Sequence, residues 1–120
     1  MQRLNVQADI RSRIASKTGV DVRTSVPKDR PAELVVVRRE GGGMRDALVD
    51  QPGIGVDVWA LSEARACEIM SEVSDAVMSL GFADGYAEVT EEVMRSDYDV
   101  LKRTPHWYAS YSLKTYKPVR

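Results

Sequence analysis

The 120-residue chain contains one cysteine, Cys67, and one histidine, His106. A lone cysteine excludes a disulfide within the chain and a cysteine-rich zinc site, and a lone histidine leaves the usual transition-metal ligands missing. Nucleophilic catalysis needs a nucleophile beside a base. Cys67 falls close to the apolar stripe of a helix, where a small core residue is expected. His106 follows Pro105 at the start of a strand and reads as a surface or interface residue, and nothing in the spacing brings the two together. Long apolar runs are also missing: none approaches the ~20 residues that cross a bilayer. The opening MQRLNVQADIRSR has no apolar h-region of a secretory signal, so a cytoplasmic compartment and no membrane partner are expected.

Phosphate and ion motifs are equally scarce. Gly41-Gly42-Gly43-Met44-Arg45 follows a strand, but no Lys-Ser/Thr pair and no helix start come after it, and there is no GxGxxG fingerprint. The acidic groups Glu88, Glu91 and Glu92, and the pair Asp97 and Asp99, lack the further ligands and glycine turn of a calcium loop and read as a solvated edge. No basic stripe is interleaved with aromatics, and the pI near 5.8 argues against a DNA-binding face. The residues therefore nominate no catalytic group, no cofactor and no metal.

What is present is an ordinary domain composition, 43% hydrophobic and 29% charged. A chain of this length fits one domain over 1–120 and buries roughly two-thirds of its unfolded surface, enough for a single core. The net charge of −1 conceals a strong asymmetry. Residues 1–50 carry a net +3, residues 51–100 a net −9 and residues 101–120 a net +5. Opposite signs on one chain allow a second copy to be the partner.

The hydrophobic spacing divides the chain into elements. Val6, Ile10 and Ile14 recur every four residues behind the N-cap candidate Asn5 and ahead of Gly19, which marks a first helix. A strand over 20–25 gives way to Pro27-Lys28-Asp29-Arg30-Pro31, where each proline lacks a ladder donor. The run Leu34-Val35-Val36-Val37, within a strand over 33–39, predicts cover on both faces. A flexible loop is expected at about 41–53, with a short strand near 47–50. The next strand, 55–60, alternates Val56, Val58 and Ala60 with Asp57 and Trp59. Ser62 and Glu63 then open the strongest helix, whose stripe is Ala66, Met70, Val73, Val77 and Leu80, with Gly81 as its stop. Strands over 86–94 and 106–116 close the chain. In the last, Trp107, Ala109, Tyr111, Leu113 and Thr115 alternate with Tyr108, Ser110, Ser112 and Lys114. The expected class is α+β, a mostly antiparallel sheet of four to five strands packed by two helices in the order α-β-β-(β)-α-β-β.

Four segments, in order, carry a resemblance. They are Val22-Arg23-Thr24-Ser25-Val26-Pro27-Lys28-Asp29-Arg30-Pro31; Leu34-Val35-Val36-Val37-Arg38-Arg39-Glu40-Gly41-Gly42; Asp50-Gln51-Pro52-Gly53-Ile54-Gly55-Val56-Asp57-Val58-Trp59-Ala60 with the helix 62–80; and Pro105-His106-Trp107-Tyr108-Ala109-Ser110-Tyr111-Ser112-Leu113. Together they resemble the tail terminator (tail completion) proteins of long-tailed phages and prophages. The strand–Trp–Ala–helix passage is the most specific part. Where the family carries a basic residue after the closing proline, this chain has His106.

The resemblance implies a virion protein, assembled in the host cytoplasm, that forms a homohexameric ring at the head-proximal end of the tail. Such a ring sits on the tail tube protein, ends its polymerisation and presents the surface that joins the head-closure or neck protein; DNA only passes through the lumen. A head-to-tail ring needs two different complementary patches per subunit. The basic residues Arg11, Arg13 and Lys17, with Lys114 and Lys117, and the acidic residues Glu63, Glu68, Glu72 and Asp75 are the candidate ring interface. Arg38, Arg39, Arg45 and Asp46 are the candidates to face the tube or lumen. Two alternatives stay open: a head-closure or head–tail connector protein, and a small host α+β ligand-binding domain, which would show a deep pocket of convergent polar groups.

Overall fold

In the computed structural model, which describes residues 5–43, 49–97 and 103–116, two helices lie side by side on one face of a six-stranded sheet. Helix α1 (Val6–Thr18) starts at Asn5, whose side chain accepts the Ala8 amide, and ends at Gly19, left-handed at φ 70°, whose amide returns to the Ala15 carbonyl. Its buried residues are Val6, Ile10 and Ile14, as the spacing predicts. Helix α2 (Glu63–Met78) is capped by Ser62, whose side chain accepts the Arg65 amide, and buries Ala66, Ile69, Met70, Val73, Ala76 and Val77.

The end of α2 differs from expectation. Gly81 is not its stop; Met78 leads into a 3₁₀ turn, Ser79–Phe82, and the left-handed residue comes at Gly85. Tightening the last turn pairs orphan carbonyls without a left-handed glycine.

The strands are β1 (Asp21–Arg23), β2 (Leu34–Gly41), β3 (Val49–Asp50), β4 (Gly53–Trp59), β5 (Tyr86–Ser96) and β6 (His106–Tyr116). The strands expected from the spacing all form, which makes six where the expected sheet had four to five; Val49–Asp50 and Gly53–Trp59 both pair with β6, in line with each other along it. Of the expected loop at about 41–53, Gly41, Val49, Asp50 and Gly53 belong to strands. Residues 44–48, which include Arg45 and Asp46, lie outside the described residues. The sheet runs β1-β2-β4-β6, with β5 on the far side of β6, and every pairing but one is antiparallel. The exception is β1 with β2, which are parallel. Parallel neighbours need a crossover rather than a hairpin, and the proline-flanked connection 24–33 supplies it.

Strand alternation sorts the side chains. Val35 and Val37 of β2, Ile54, Val56 and Val58 of β4, and Ala109, Tyr111 and Leu113 of β6 point at the helices and form the core with them. Leu34 and Val36 are also fully buried, but on the opposite face, beside the 24–33 connection. The all-apolar run is therefore covered on both sides, as expected. Cys67 is a correction: it is exposed, one position past buried Ala66 on α2 and outside the stripe.

Candidate functional site

The face away from the helices carries a polar network that crosses four strands. Arg38 and Glu40 leave β2 on this face, Asp57 and Trp59 leave β4, His106 and Tyr108 leave β6, and Arg95 leaves β5. Asp57, with a side chain 8% exposed, sits between Arg38 Nη2 and His106 Nε2, each at 2.7 Å. His106 stacks on Trp59 with ring centroids 4.5 Å apart and planes 5° from parallel. The Arg30 guanidinium, from the crossover, lies 5.3 Å from the Trp59 ring. Tyr108 donates to the Glu40 carboxylate, and the Arg95 guanidinium covers its ring at 4.6 Å while pairing with Asp97 at 2.8 Å. Burial, then the Glu40 hydrogen bond, pushes the Tyr108 hydroxyl up to about 12.

Where the crossover meets this network there is an open cleft of about 420 Å³, lined by Val26, Val36, Arg38, Asp57, Trp59 and His106 among others. An adjoining hollow of about 430 Å³ shares Val26, Trp59 and His106 and adds Lys28 and Arg30. In the cleft, Arg38 and His106 are already bonded to Asp57. Among the described residues, no buried side-chain nitrogen or oxygen lacks a partner. No group of three or more His, Cys, Asp or Glu side chains that could hold a metal is found among them, and no helix is long and apolar enough to cross a membrane.

The candidate ring residues divide into those bound within the subunit and those left outside. Arg11 donates to the Val22 carbonyl at 2.9 Å and so ties α1 to the edge strand β1. Glu63 accepts from Trp107 Nε1 at 3.0 Å and from Ser96, which holds the start of α2 to β5 and β6. Glu68 pairs with Arg65, whose guanidinium also grips Glu33 at 2.7 Å and holds that carboxyl below the usual carboxylate range. Arg13, Lys17 and Asp75 meet in one shallow groove between the helices, of about 380 Å³. Basic and acidic candidates are therefore neighbours there, not patches on opposite sides. Lys114 pairs with Glu88 at 3.2 Å, and Lys117 lies outside the described residues.

Arg38 and Arg39 are also separated. They sit at the end of β2, where the two-residue period sends them to opposite faces. Arg38 joins Asp57; Arg39 makes a two-pronged pair with Asp50 at 3.0 and 3.1 Å, with the Asp50 side chain only 2% exposed. Of the acidic edge, Glu91 is not merely solvated: it accepts from Ser74 of α2 and from Tyr111. Burial first of all raises the Tyr111 hydroxyl above the ordinary tyrosine value. The Asp57–His106 pair went unread in the sequence because its partners are 49 residues apart; the visible signal was an aspartate inside a strand that was otherwise apolar.

Fold and site define an α+β domain with a helix pair on one sheet face and an ion-paired aromatic network on the other. A solved structure shares that fold. It is a chain of the virion of a native gene transfer agent (GTA) particle, with a TM-score of 0.67 and 15% identity, covering 96% of this chain and 100% of that one. No family model matches the chain, and no curated protein does.

Proposed function

We propose that this chain is a structural virion protein, the tail terminator of a long-tailed phage or prophage. A homohexameric ring of it would sit on the last ring of tail tube protein, stop tube growth and offer the surface that joins the neck, with DNA passing through its lumen. The observation that carries the reading is the fold shared, end to end, with a chain of a GTA virion. The four ordered segments of the sequence support the finer assignment. The chemistry agrees: the polar groups of the open face are spent on each other, which suits a rigid contact surface acting by shape and charge rather than a reactive centre.

The test is electron microscopy of particles made without this gene product. Overlong tails lacking heads are the expected outcome, and tails of normal length joined to heads would overturn the proposal. Pull-down with purified tail tube protein against the neck complex separates the terminator from a head-closure protein, which would be retained by the neck alone.

A further inference from the structure

The 3₁₀ turn after α2 presents Phe82, the only phenylalanine of the chain, at 96% exposure, with Met78 of the preceding turn 39% exposed. An aromatic side chain buries roughly 150–250 Å² when it is covered, so leaving this one in water is a standing cost that a partner would remove. The diagonally opposite corner of the subunit has the converse shape. Helix α2 runs back along the sheet from the end of β4, so Phe82 lies at the far end from Trp59 and on the helix side. The cleft beside Trp59 opens on the other face, and its wall residue Val26 is 51% exposed. Charges follow the shapes by a small margin. Asp9, Asp75 and Asp84 lie near the knob against Arg13 and Lys17; the cleft is rimmed by Lys28, Arg30 and Arg38, against Asp57 and Glu40.

We infer that Phe82 of one copy inserts into the Val26–Trp59 cleft of the next, so that identical subunits join head to tail through a knob and a hole. Two different patches on one chain make a heterologous contact, the kind that closes into a ring when the rotation allows. The slight negative excess near the knob and the positive excess at the cleft favour knob-to-cleft over knob-to-knob pairing. The occupant of the cleft is a second copy of this chain. The inference rests on the ring reading given above and names the surfaces that would build the ring.

Disulfide trapping tests it. In a Cys67→Ser background, Val26→Cys and Gly81→Cys together give each copy one thiol at the cleft and one beside the knob, with Phe82 kept. Mild oxidation is applied to cells producing the whole particle and to the purified chain. A ladder of covalent multimers longer than dimers is expected, and at most a dimer from either single-cysteine variant. Monomer alone in both preparations would overturn the contact. Phe82→Asp, without introduced thiols, should cut the assembled fraction at least tenfold at unchanged thermal stability, because the wild-type side chain packs against nothing in its own subunit; undiminished assembly would likewise overturn it. The two readings fail separately. A ladder with normal tails in the deletion removes the terminator role and leaves the contact, whereas overlong headless tails without a ladder do the reverse.

Discussion

The Glu40 carboxylate passes over Gly55 to accept the hydroxyl hydrogen of Tyr108, so a side chain of β2 bonds one of β6 across the strand between them. A β-carbon on residue 55 would stand where the Glu40 side chain lies. Gly55→Ala is therefore expected to displace Glu40 and to cost about 1 kcal/mol, the usual worth of the lost hydrogen bond. In a Glu40→Ala background the same change should cost close to nothing. Urea unfolding of the four proteins of this double-mutant cycle gives the coupling directly.

The same hydroxyl supplies a pH dependence. Tyr108 ionises near 12 in the folded chain and near 10 when unfolded, so its contribution to stability is fully present below pH 10 and is lost as pH rises through about 12. Tyr86, buried and bonded to Asp9, is raised in the same direction. Phenolate absorbance from these residues should therefore appear only above pH 10, together with unfolding. Tyr108→Phe should flatten the loss of stability across that window. An unchanged alkaline profile in that variant would contradict the assignment.

Two neighbouring arginines should behave differently. Arg39→Leu strips the guanidinium from Asp50, a carboxylate with 2% side-chain exposure, and is expected to cost about 3 kcal/mol. Arg38→Leu removes a half-exposed partner and leaves Asp57 its His106 contact, so about 1 kcal/mol is expected. Denaturant midpoints at constant m-value measure both. Equal costs would mean that the exposure of Arg38 and the His106 contact of Asp57 do not soften the loss of that arginine.

Cys67 is exposed on α2. It should react fully with a thiol reagent in the absence of denaturant, and Cys67→Ser should change stability by less than about 0.5 kcal/mol. Protection from the reagent until the chain unfolds would place this residue in the core instead.

Much of the fold was legible because it depends on period. Ile10 and Ile14, the α2 stripe, and the alternation of Ala109, Tyr111 and Leu113 each reported a face that had to be covered, and each is covered. Caps were legible for a related reason: Asn5, Ser62 and Gly19 act on amides or carbonyls within four residues of themselves. Cys67 was misread because it adjoins the stripe, and one step along a helix turns a side chain by about 100°. Gly81 was misread because a 3₁₀ turn can end a helix without a left-handed glycine. The candidate site was far less legible. Arg38 and Arg39 look alike in sequence, yet the strand period sends them to different aspartates on different faces.

The amino-acid order by itself determined the two helices and the strands that follow each, the caps at Asn5, Gly19 and Ser62, the two-sided burial of Leu34–Val37 and the absence of cysteine or histidine clusters, since these rest on neighbours a few residues away or on composition alone. Only the tertiary structure decided that β1 runs parallel to β2, that Asp57 is shared by Arg38 and His106, and that Phe82 and the Trp59 cleft lie at opposite corners of the subunit. Those relations join residues far apart along the chain. Their distances are set by how the sheet closes and where the helices pack on it, and no local period records them.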